Sequence, residues 1–201
     1  MANRKKGFTL VELLIVIVVI GVLSAMMMLS STEAVSSAKA ANIINNLRNW
    51  KTATLEWYAD NLDRVTEKGQ IREATSLATG DAKYGDFATN IKASDIVPYV
   101  GSNFKSIDDK GNAWDSTNGR FYTDHVKRKN SSNIDCNVWL IAYQMPTNDA
   151  VLKEKLKARA KTAGLLWKSG NDTGTYDAEQ VKNIGGGGSD SVWIEVMDFS
   201  K

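Results

Sequence analysis

The chain has few of the side chains that build cross-links, zinc sites or catalytic triads. Of its 201 residues, one is a cysteine, Cys136, and one is a histidine, His125. A single cysteine excludes a disulfide within the chain, and a histidine without companions cannot build a zinc site. No spacing suggests a Ser-His-Asp triad. We interpret Cys136, which precedes the apolar run 138–141, as a buried strand residue, and His125 as a structural or surface residue.

An excess of charge of one sign is also missing. The chain has 25 Lys and Arg against 23 Asp and Glu, and three of the basic residues form the cluster Arg4-Lys5-Lys6. Without this cluster, 22 basic residues stand against 23 acidic ones. The composition therefore gives no support to a general nucleic-acid-binding role, which needs a basic surface.

Proline is rare, and both prolines lie beyond residue 97. The run Leu13–Leu29 has neither charge nor proline, and with the preceding segment from Phe8 it makes about 22 residues, roughly 33 Å of helix. That length crosses a bilayer, where only a helix satisfies the backbone of a single segment. The basic cluster precedes the run and no equal cluster follows closely, so the N-terminus is expected in the cytoplasm.

Glu12 is the exception within this apolar segment. A carboxylate in a membrane helix is costly and is usually functional, with a partner for its charge. Cleavage after Gly7 would create such a partner, because the new α-amine at Phe8 would lie one helical turn away or would reach a neighbouring copy. The alternative interpretation is that Glu12 lies near the membrane surface and extends its carboxylate into water.

These residues resemble a known family. The segment that carries the resemblance is Lys5-Lys6-Gly7-Phe8-Thr9-Leu10-Val11-Glu12-Leu13-Leu14-Ile15-Val16-Ile17. It is similar to the class III leader and mature N-terminus of type IV pilins and their pseudopilin relatives. Asn46–Ala53 and Tyr58–Asn61 are similar to the later part of a bacterial pilin helix, so the resemblance covers residues 4–62.

The resemblance implies how the N-terminus is processed and used. In that family a membrane aspartyl peptidase, the prepilin peptidase, cuts after the glycine and methylates the new N-terminal phenylalanine. The cut would fall between Gly7 and Phe8. Phe8, Thr9 and Glu12 would be the assembly residues, with Glu12 supplying register and charge pairing.

Two further positions bear on how the helix behaves in a filament. Gly21 matches a family glycine that loosens the helix. Many members have a proline where this chain has Leu29, and that proline melts the helix locally in filaments. Without it, melting rests on Gly21 and on Ser30-Ser31, so whether this helix melts stays open.

The resemblance also implies an architecture and a role. The expected fold is α+β, with a leader at 1–7, a long helix at 8–62, and a head at 63–201 whose antiparallel β-sheet packs against the helix. Residues 8–29 would span the membrane and later form the filament core. The chain would be a structural subunit, not an enzyme and without a cofactor: a single-pass inner-membrane precursor, then an extracellular filament. Its partners would be further copies of itself, the prepilin peptidase, the inner-membrane assembly platform and membrane lipid before assembly.

Other functions remain open alongside the pilus subunit. One is a pseudopilin of a type II secretion or competence system, where DNA would be a partner only in a competence pilus. Another is a monomeric membrane-tethered binding module or enzyme that never polymerises. A secretory signal peptide is a further alternative, although its apolar core is normally about 7–15 residues and carries no glutamate.

The helical pattern is expected to continue to Leu62. Apolar and small side chains fall in one broad arc at about 100° per residue. They are Ile43, Ile44, Leu47, Trp50, Thr54, Leu55, Trp57, Tyr58 and Leu62. The aromatic members could form a path along a filament, but core packing against a sheet is the preferred interpretation.

The head is expected to hold a loop region followed by strands. Residues 63–112 are polar and interrupted by glycine, with a short helix at Ala93–Ile96. Strands are predicted at 119–126, 137–145, 165–168 and 191–199, and a helix from Asn148 or Asp149 to near Gly164.

Weaker patterns suggest a cation site and modification sites. Asp108, Asp109, Asn112 and Asp115 have the oxygen ligands of a calcium loop, and major pseudopilins hold calcium in this domain, but a solvated turn is the preferred interpretation. Asn171, Asp172 and Asp177 form a weaker candidate. Asn130 and Asn171 each begin a glycosylation sequon, a pattern that is common by chance.

Overall fold

The computed structural model describes most of the chain, in seven segments. They are residues 8–72, 84–101, 106–107, 111–114, 119–146, 149–168 and 191–201. One long helix and a six-stranded antiparallel sheet dominate these segments, which confirms the predicted α+β class with a pilin-like arrangement.

Helix α1 runs from Leu10 to Asp60 without interruption. No proline or charged pair breaks its first turns, and a polar cap closes its start. Its exposure changes sharply near Ser36, which is 8% exposed and is the first buried residue among those of the helix whose burial the structure describes. Beyond this point one face of α1 is buried at helical spacing, as the predicted arc requires. The buried members are Ala40, Ile43, Ile44, Leu47, Trp50, Ala53, Thr54 and Trp57.

Helix α1 ends at Asp60, two residues before the predicted end at Leu62. The backbone N–H of Asn61 donates to the carbonyl oxygen of Tyr58, and a 3₁₀ turn at Leu62–Arg64 follows. This change of helix type takes Leu62 out of the apolar arc, and 56% of the residue is exposed. Its assignment to the buried face was wrong.

The main sheet is built on two long neighbouring strands. Strand β5 is Arg120–Lys129 and β6 is Asp135–Gln144, and they pair in register from Arg120 opposite Gln144 to Lys129 opposite Asp135. The remaining strands are β3 (Ser106–Ile107), β4 (Ala113–Trp114), β7 (Leu166–Lys168) and β8 (Ser191–Asp198). The order across the sheet is β3-β4-β5-β6-β8-β7. The four predicted strands correspond to β5, β6, β7 and β8.

The region between α1 and the sheet holds more structure than expected. Strands β1 (Ile71–Arg72) and β2 (Tyr84–Gly85) pair with each other, and helices α2 (Phe87–Asn90) and α3 (Ala93–Val100) follow. The interpretation of 63–112 as mostly loop was therefore wrong in these segments. The predicted short helix is present but continues through Pro98. Burial of Ala93 and Ile96 holds this helix against the head despite the N–H that Pro98 lacks.

Helix α4 (Ala150–Thr162) follows β6 and precedes β7 along the chain, and it packs on α1. The Asp149 carboxylate accepts from the backbone N–H of Leu152, which confirms Asp149 as the predicted cap. Gly164 ends the segment with a φ of +71°, and the N–H of Leu165 donates to the carbonyl oxygen of Ala160. This arrangement is the usual glycine-dependent helix end.

The core of the head lies between α1 and one face of the sheet. Trp50 stacks on Phe121 with ring centroids 5.4 Å apart, and Tyr58 packs edge-on against Trp139 at 5.6 Å. These contacts confirm that the helix aromatics pack in the core. Cys136 is buried in β6, as predicted, with 2% of the residue exposed.

Candidate functional site

The start of α1 is a closed hydrogen-bonded cap. Thr9 lies just outside the helix with extended backbone angles, φ −80° and ψ 151°. Its hydroxyl accepts from the N–H of Glu12 at 3.2 Å and donates to the Glu12 carboxylate at 2.8 Å. The N–H of Thr9 donates to the same carboxylate oxygen at 2.8 Å. This reciprocal pair is a capping box, and it satisfies donors that a helix start otherwise leaves open.

The cap places the predicted assembly residues together at one helix end. Phe8 precedes Thr9, lies outside the helix and is 86% exposed. Glu12 faces back toward this end, since its carboxylate is held by Thr9. Gly7 lies outside the described residues. Thr9-Leu10-Val11-Glu12 is the capping-box signature, a local signal from which the cap could have been predicted but was not.

The apolar part of α1 lacks a partner within the chain. Every described residue from Leu10 to Met28 is exposed, and the most apolar 18-residue window of the helix, with a mean hydropathy of 2.8, has no buried residue. The helix is long and apolar enough to cross a membrane. An added Cβ at Gly21 would meet no other atom within 4 Å, so nothing in the described chain packs against that position. This surface requires lipid or other chains to cover it.

The head also contains a charged cluster that sequence reasoning missed. The Asp86 carboxylate lies 3.3 Å from both His125 Nε2 and Lys127 Nζ, and it accepts from the side-chain amide of Asn137 at 3.2 Å. Burial raises the pKa of Asp86, but the Asn137 hydrogen bond and the charges of His125 and Lys127 outweigh it, so the pKa lies below its ordinary value. The cluster confirms a structural role for His125, since it ties the segment before α2 to β5 and β6.

The structure does not describe most residues of the two predicted cation sites. Asp108, Asp109 and Asp115 lie outside the described residues, as do Asn171, Asp172 and Asp177, so the cation sites stay predictions. Asn112 lies just before β4. In the described segments no three His, Cys, Asp or Glu side chains lie close enough to hold a metal ion.

The Asn130 sequon occupies the turn between β5 and β6. The side-chain oxygen of Asn130 accepts from the backbone N–H groups of Ser132 and Ile134, at 3.0 and 2.9 Å. These hydrogen bonds give Asn130 a local role in the turn, and Asn133 completes it with a φ of +59°.

Comparison with known proteins finds a match at the N-terminal end of the chain, where the cap and the apolar helix lie. Residues 2–28 match the family model described as the prokaryotic N-terminal methylation motif. This motif is the class III leader of type IV pilins and pseudopilins, and it supports a protein of that type, a structural protein rather than an enzyme. The motif and the apolar helix together fit a membrane-anchored precursor that a prepilin peptidase processes. No curated protein and no solved structure matches the chain.

Proposed function

We propose that the chain is a subunit of a type IV pilus-like filament and that the first half of α1 forms the filament core. The observation that carries this proposal is the unpartnered apolar segment at 10–28, whose N-terminal end holds the capped carboxylate of Glu12. The head buries the second half of the same helix and leaves the first half bare. A chain that stays monomeric can keep this surface out of water only by remaining in lipid.

The first step is cleavage between Gly7 and Phe8. Because the structured helix begins at Leu10, Phe8 and the extended Thr9 are outside it, and a peptidase can take hold of this end without unwinding a turn. Hydrolysis of the peptide bond converts the amide nitrogen of Phe8 into a positively charged α-amine. Its methylation leaves that positive charge in place.

The second step is the pairing of the new amine with a carboxylate. Within one subunit Glu12 already accepts two hydrogen bonds from Thr9, so its charge is oriented toward the end of the helix. The Phe8 amine of an incoming subunit can then approach Glu12 of its neighbour. Such pairing would neutralise both charges in an apolar environment and fix the axial register of the two helices.

The third step transfers the helix from lipid to a bundle of helices. Lipid tails are as apolar as the segment itself, so close packing and charge pairing favour the bundle inside the membrane. Outside the membrane, burial of the same surface stabilises the filament by roughly 25 cal/mol per Å² of apolar area kept from water. The heads would then form the filament surface.

The N-terminus of the protein in a fraction sheared from cells tests this function. Mass spectrometry is expected to find chains that begin with N-methylated Phe8. The same start found only in the membrane fraction would instead indicate a short pseudopilus, and the length of surface fibres separates the two assemblies. An uncut start at Met1, or a cut beyond the apolar run, would contradict the proposal.

A matched pair of variants tests the role of the helix end. Glu12→Ala is expected to abolish filaments, because the amine of the next subunit loses its partner. Replacement of Gly7 is expected to abolish them earlier, by blocking cleavage. Thr32, on the same helix beyond the apolar run, is a control position where Thr32→Ala should leave filaments normal. Normal filaments in both the Glu12 and the Gly7 variants would refute the mechanism.

A further inference from the structure

Helix α4 concentrates positive charge in a chain that is otherwise slightly acidic. Between Ala150 and Thr162 the sequence has five basic residues and one acidic residue, Glu154. The chain after residue 7 has 22 basic residues against 23 acidic ones, so everything outside α4 is net negative. This concentration of charge is not used by the proposed assembly of the N-terminal helix.

Contacts with α1 place the basic helix close to the apolar segment. Lys155 Nζ lies 3.6 Å from the Glu33 carboxylate, and Arg159 donates to the Ser37 hydroxyl at 2.9 Å. Asp149, which caps α4, pairs with Lys39 at 3.8 Å. Leu29 ends the apolar run, so Glu33 is four residues further along the helix, a rise of about 6 Å.

This distance is the thickness of a lipid headgroup layer. The hydrocarbon core of a bilayer is about 30 Å thick and the whole bilayer about 40–45 Å, which leaves roughly 5–8 Å of headgroups on each side. A helix that spans the core with residues 8–29 therefore holds Glu33, and Lys155 beside it, at the outer edge of the headgroups. Lys157 and Arg159 are exposed on the same short helix.

We propose that α4 is a lipid-docking surface that rests on the phosphate groups of an anionic bilayer while the subunit waits in the membrane. The inference rests on the membrane-anchored precursor of the proposed function. Charge complementarity favours this occupant: basic side chains within a Debye length, about 8 Å at physiological ionic strength, are attracted to anionic lipid. The bilayer is also the surface that the preceding helix necessarily brings to this level.

Docking would give the waiting subunit a fixed orientation. Lipid contact through α4 together with the spanning helix restrains the tilt of the head, and extraction into a filament would break the lipid contact. Each basic side chain near an anionic surface shifts the ratio of docked to lifted heads roughly fivefold, so two of them account for about 25-fold.

The test uses the full-length chain in lipid nanodiscs. A fluorophore is placed on Ala158→Cys, which is exposed on α4, while the buried Cys136 resists labelling. Quenching by lipid with a nitroxide on its headgroup reports how closely α4 approaches the surface. We expect stronger quenching in phosphatidylglycerol-rich discs than in phosphatidylcholine discs, and loss of the difference near 0.5 M salt, where the Debye length is roughly 4 Å.

Two double variants separate lipid docking from a general charge effect. Lys155→Gln with Lys157→Gln should lower the docked-to-lifted ratio about 25-fold in the anionic discs. Lys68→Gln with Lys129→Gln removes the same charge from exposed positions outside α4, one in the segment after α1 and one at the end of β5, and should leave quenching unchanged. Quenching that is independent of lipid charge, or equal losses in the two double variants, would overturn the inference. A chain that fails to enter nanodiscs would overturn the membrane-anchored precursor as well.

Discussion

Trp139 joins helix α1, the sheet and the C-terminal segment in one core. Its truncation to alanine should make the head unfold at a much lower urea concentration. The residue is fully buried in β6, and its indole N–H donates to the carbonyl oxygen of Gly69 at 2.8 Å. Four aromatic rings have centroids 4.5 to 6.2 Å from it: Phe87, Phe199, Tyr58 and Trp57.

The structure sets the size of the effect. Trp139→Ala removes a large buried ring that no neighbour can replace, a change that costs about 3–5 kcal/mol. Trp139→Phe keeps most of the ring and loses the N–H. The Gly69 carbonyl oxygen still accepts from the amide of Asn137 at 3.0 Å, so the hydrogen-bond loss is only about 0.5–1.5 kcal/mol. Domains of this size are stable by about 5–15 kcal/mol, so the alanine variant loses a large fraction.

The native cysteine provides the assay. Cys136 is the sole cysteine and is buried, so a short pulse of thiol reagent labels only chains whose head has opened. With a slope of about 2 kcal/mol per molar urea, the labelling midpoint should fall by roughly 2 M in Trp139→Ala. Leu62→Ala, at an exposed apolar position, is the control and should stay within about 0.5 kcal/mol of the parent. A midpoint for Trp139→Ala equal to that of Leu62→Ala would refute this account of the core.

Three further substitutions test the helix end at Glu12, the ion-paired carboxylate of Asp198 and the turn at Gly69. Glu12→Gln keeps an oxygen that can accept from Thr9 but removes the charge, so filament yield by electron microscopy should fall as in Glu12→Ala. Burial raises the pKa of Asp198, but hydrogen bonds from Ser200 and the charges of Arg128 and Lys201 outweigh it and lower the pKa. The resulting stability is present above the unfolded pKa, about 3.9, and is lost as pH falls through the folded value. Urea midpoints of Asp198→Asn should therefore depend less on pH below 4 than those of the parent. In Gly69→Ala, where φ is +70°, the new Cβ would lie 2.3 Å from the Phe199 ring, so the labelling midpoint of Cys136 should fall by an amount equivalent to roughly 1–3 kcal/mol.

The long elements could be predicted from the sequence because their patterns repeat. Helix α1 has no proline over 51 residues, and its second half shows apolar side chains at helical spacing. The apolar run 138–141 marks β6, and alternation at 192–196 marks β8. Both strands are long enough for such a pattern to stand out against chance.

The short elements could not be predicted because they have no period. Strands β1 to β4 are two residues each, too short for alternation, and their pairing depends on distant segments. Alternation also cannot show that Trp193 is buried with Val138 and Leu140, because this sheet buries side chains on both faces. The exposure of Leu62 likewise depends on a change of helix type one residue before it.

Some residues of the candidate site could likewise be predicted from the sequence, and others could not. Glu12 could be found because one carboxylate in an apolar run is unusual at the level of sequence alone. Asp86 could not, since its partners His125 and Asn137 come from two strands that only the folded sheet brings together. The position of α4 beside Glu33 is also a property of the tertiary structure.

The division of α1 into a bare half and a buried half implies that folding of the head and assembly of the filament can be perturbed separately. Among the described aromatic pairs, Trp139 contacts the buried second half of α1 and segments of the head, whereas Glu12 bonds only to Thr9 in the described hydrogen bonds of its helix end. Trp139→Phe should therefore shift the urea midpoint and leave cleavage before Phe8 unchanged. Glu12→Gln should leave the midpoint unchanged and reduce filaments. If either variant moved both quantities, the two halves of the helix would be coupled through contacts that the folded monomer does not contain.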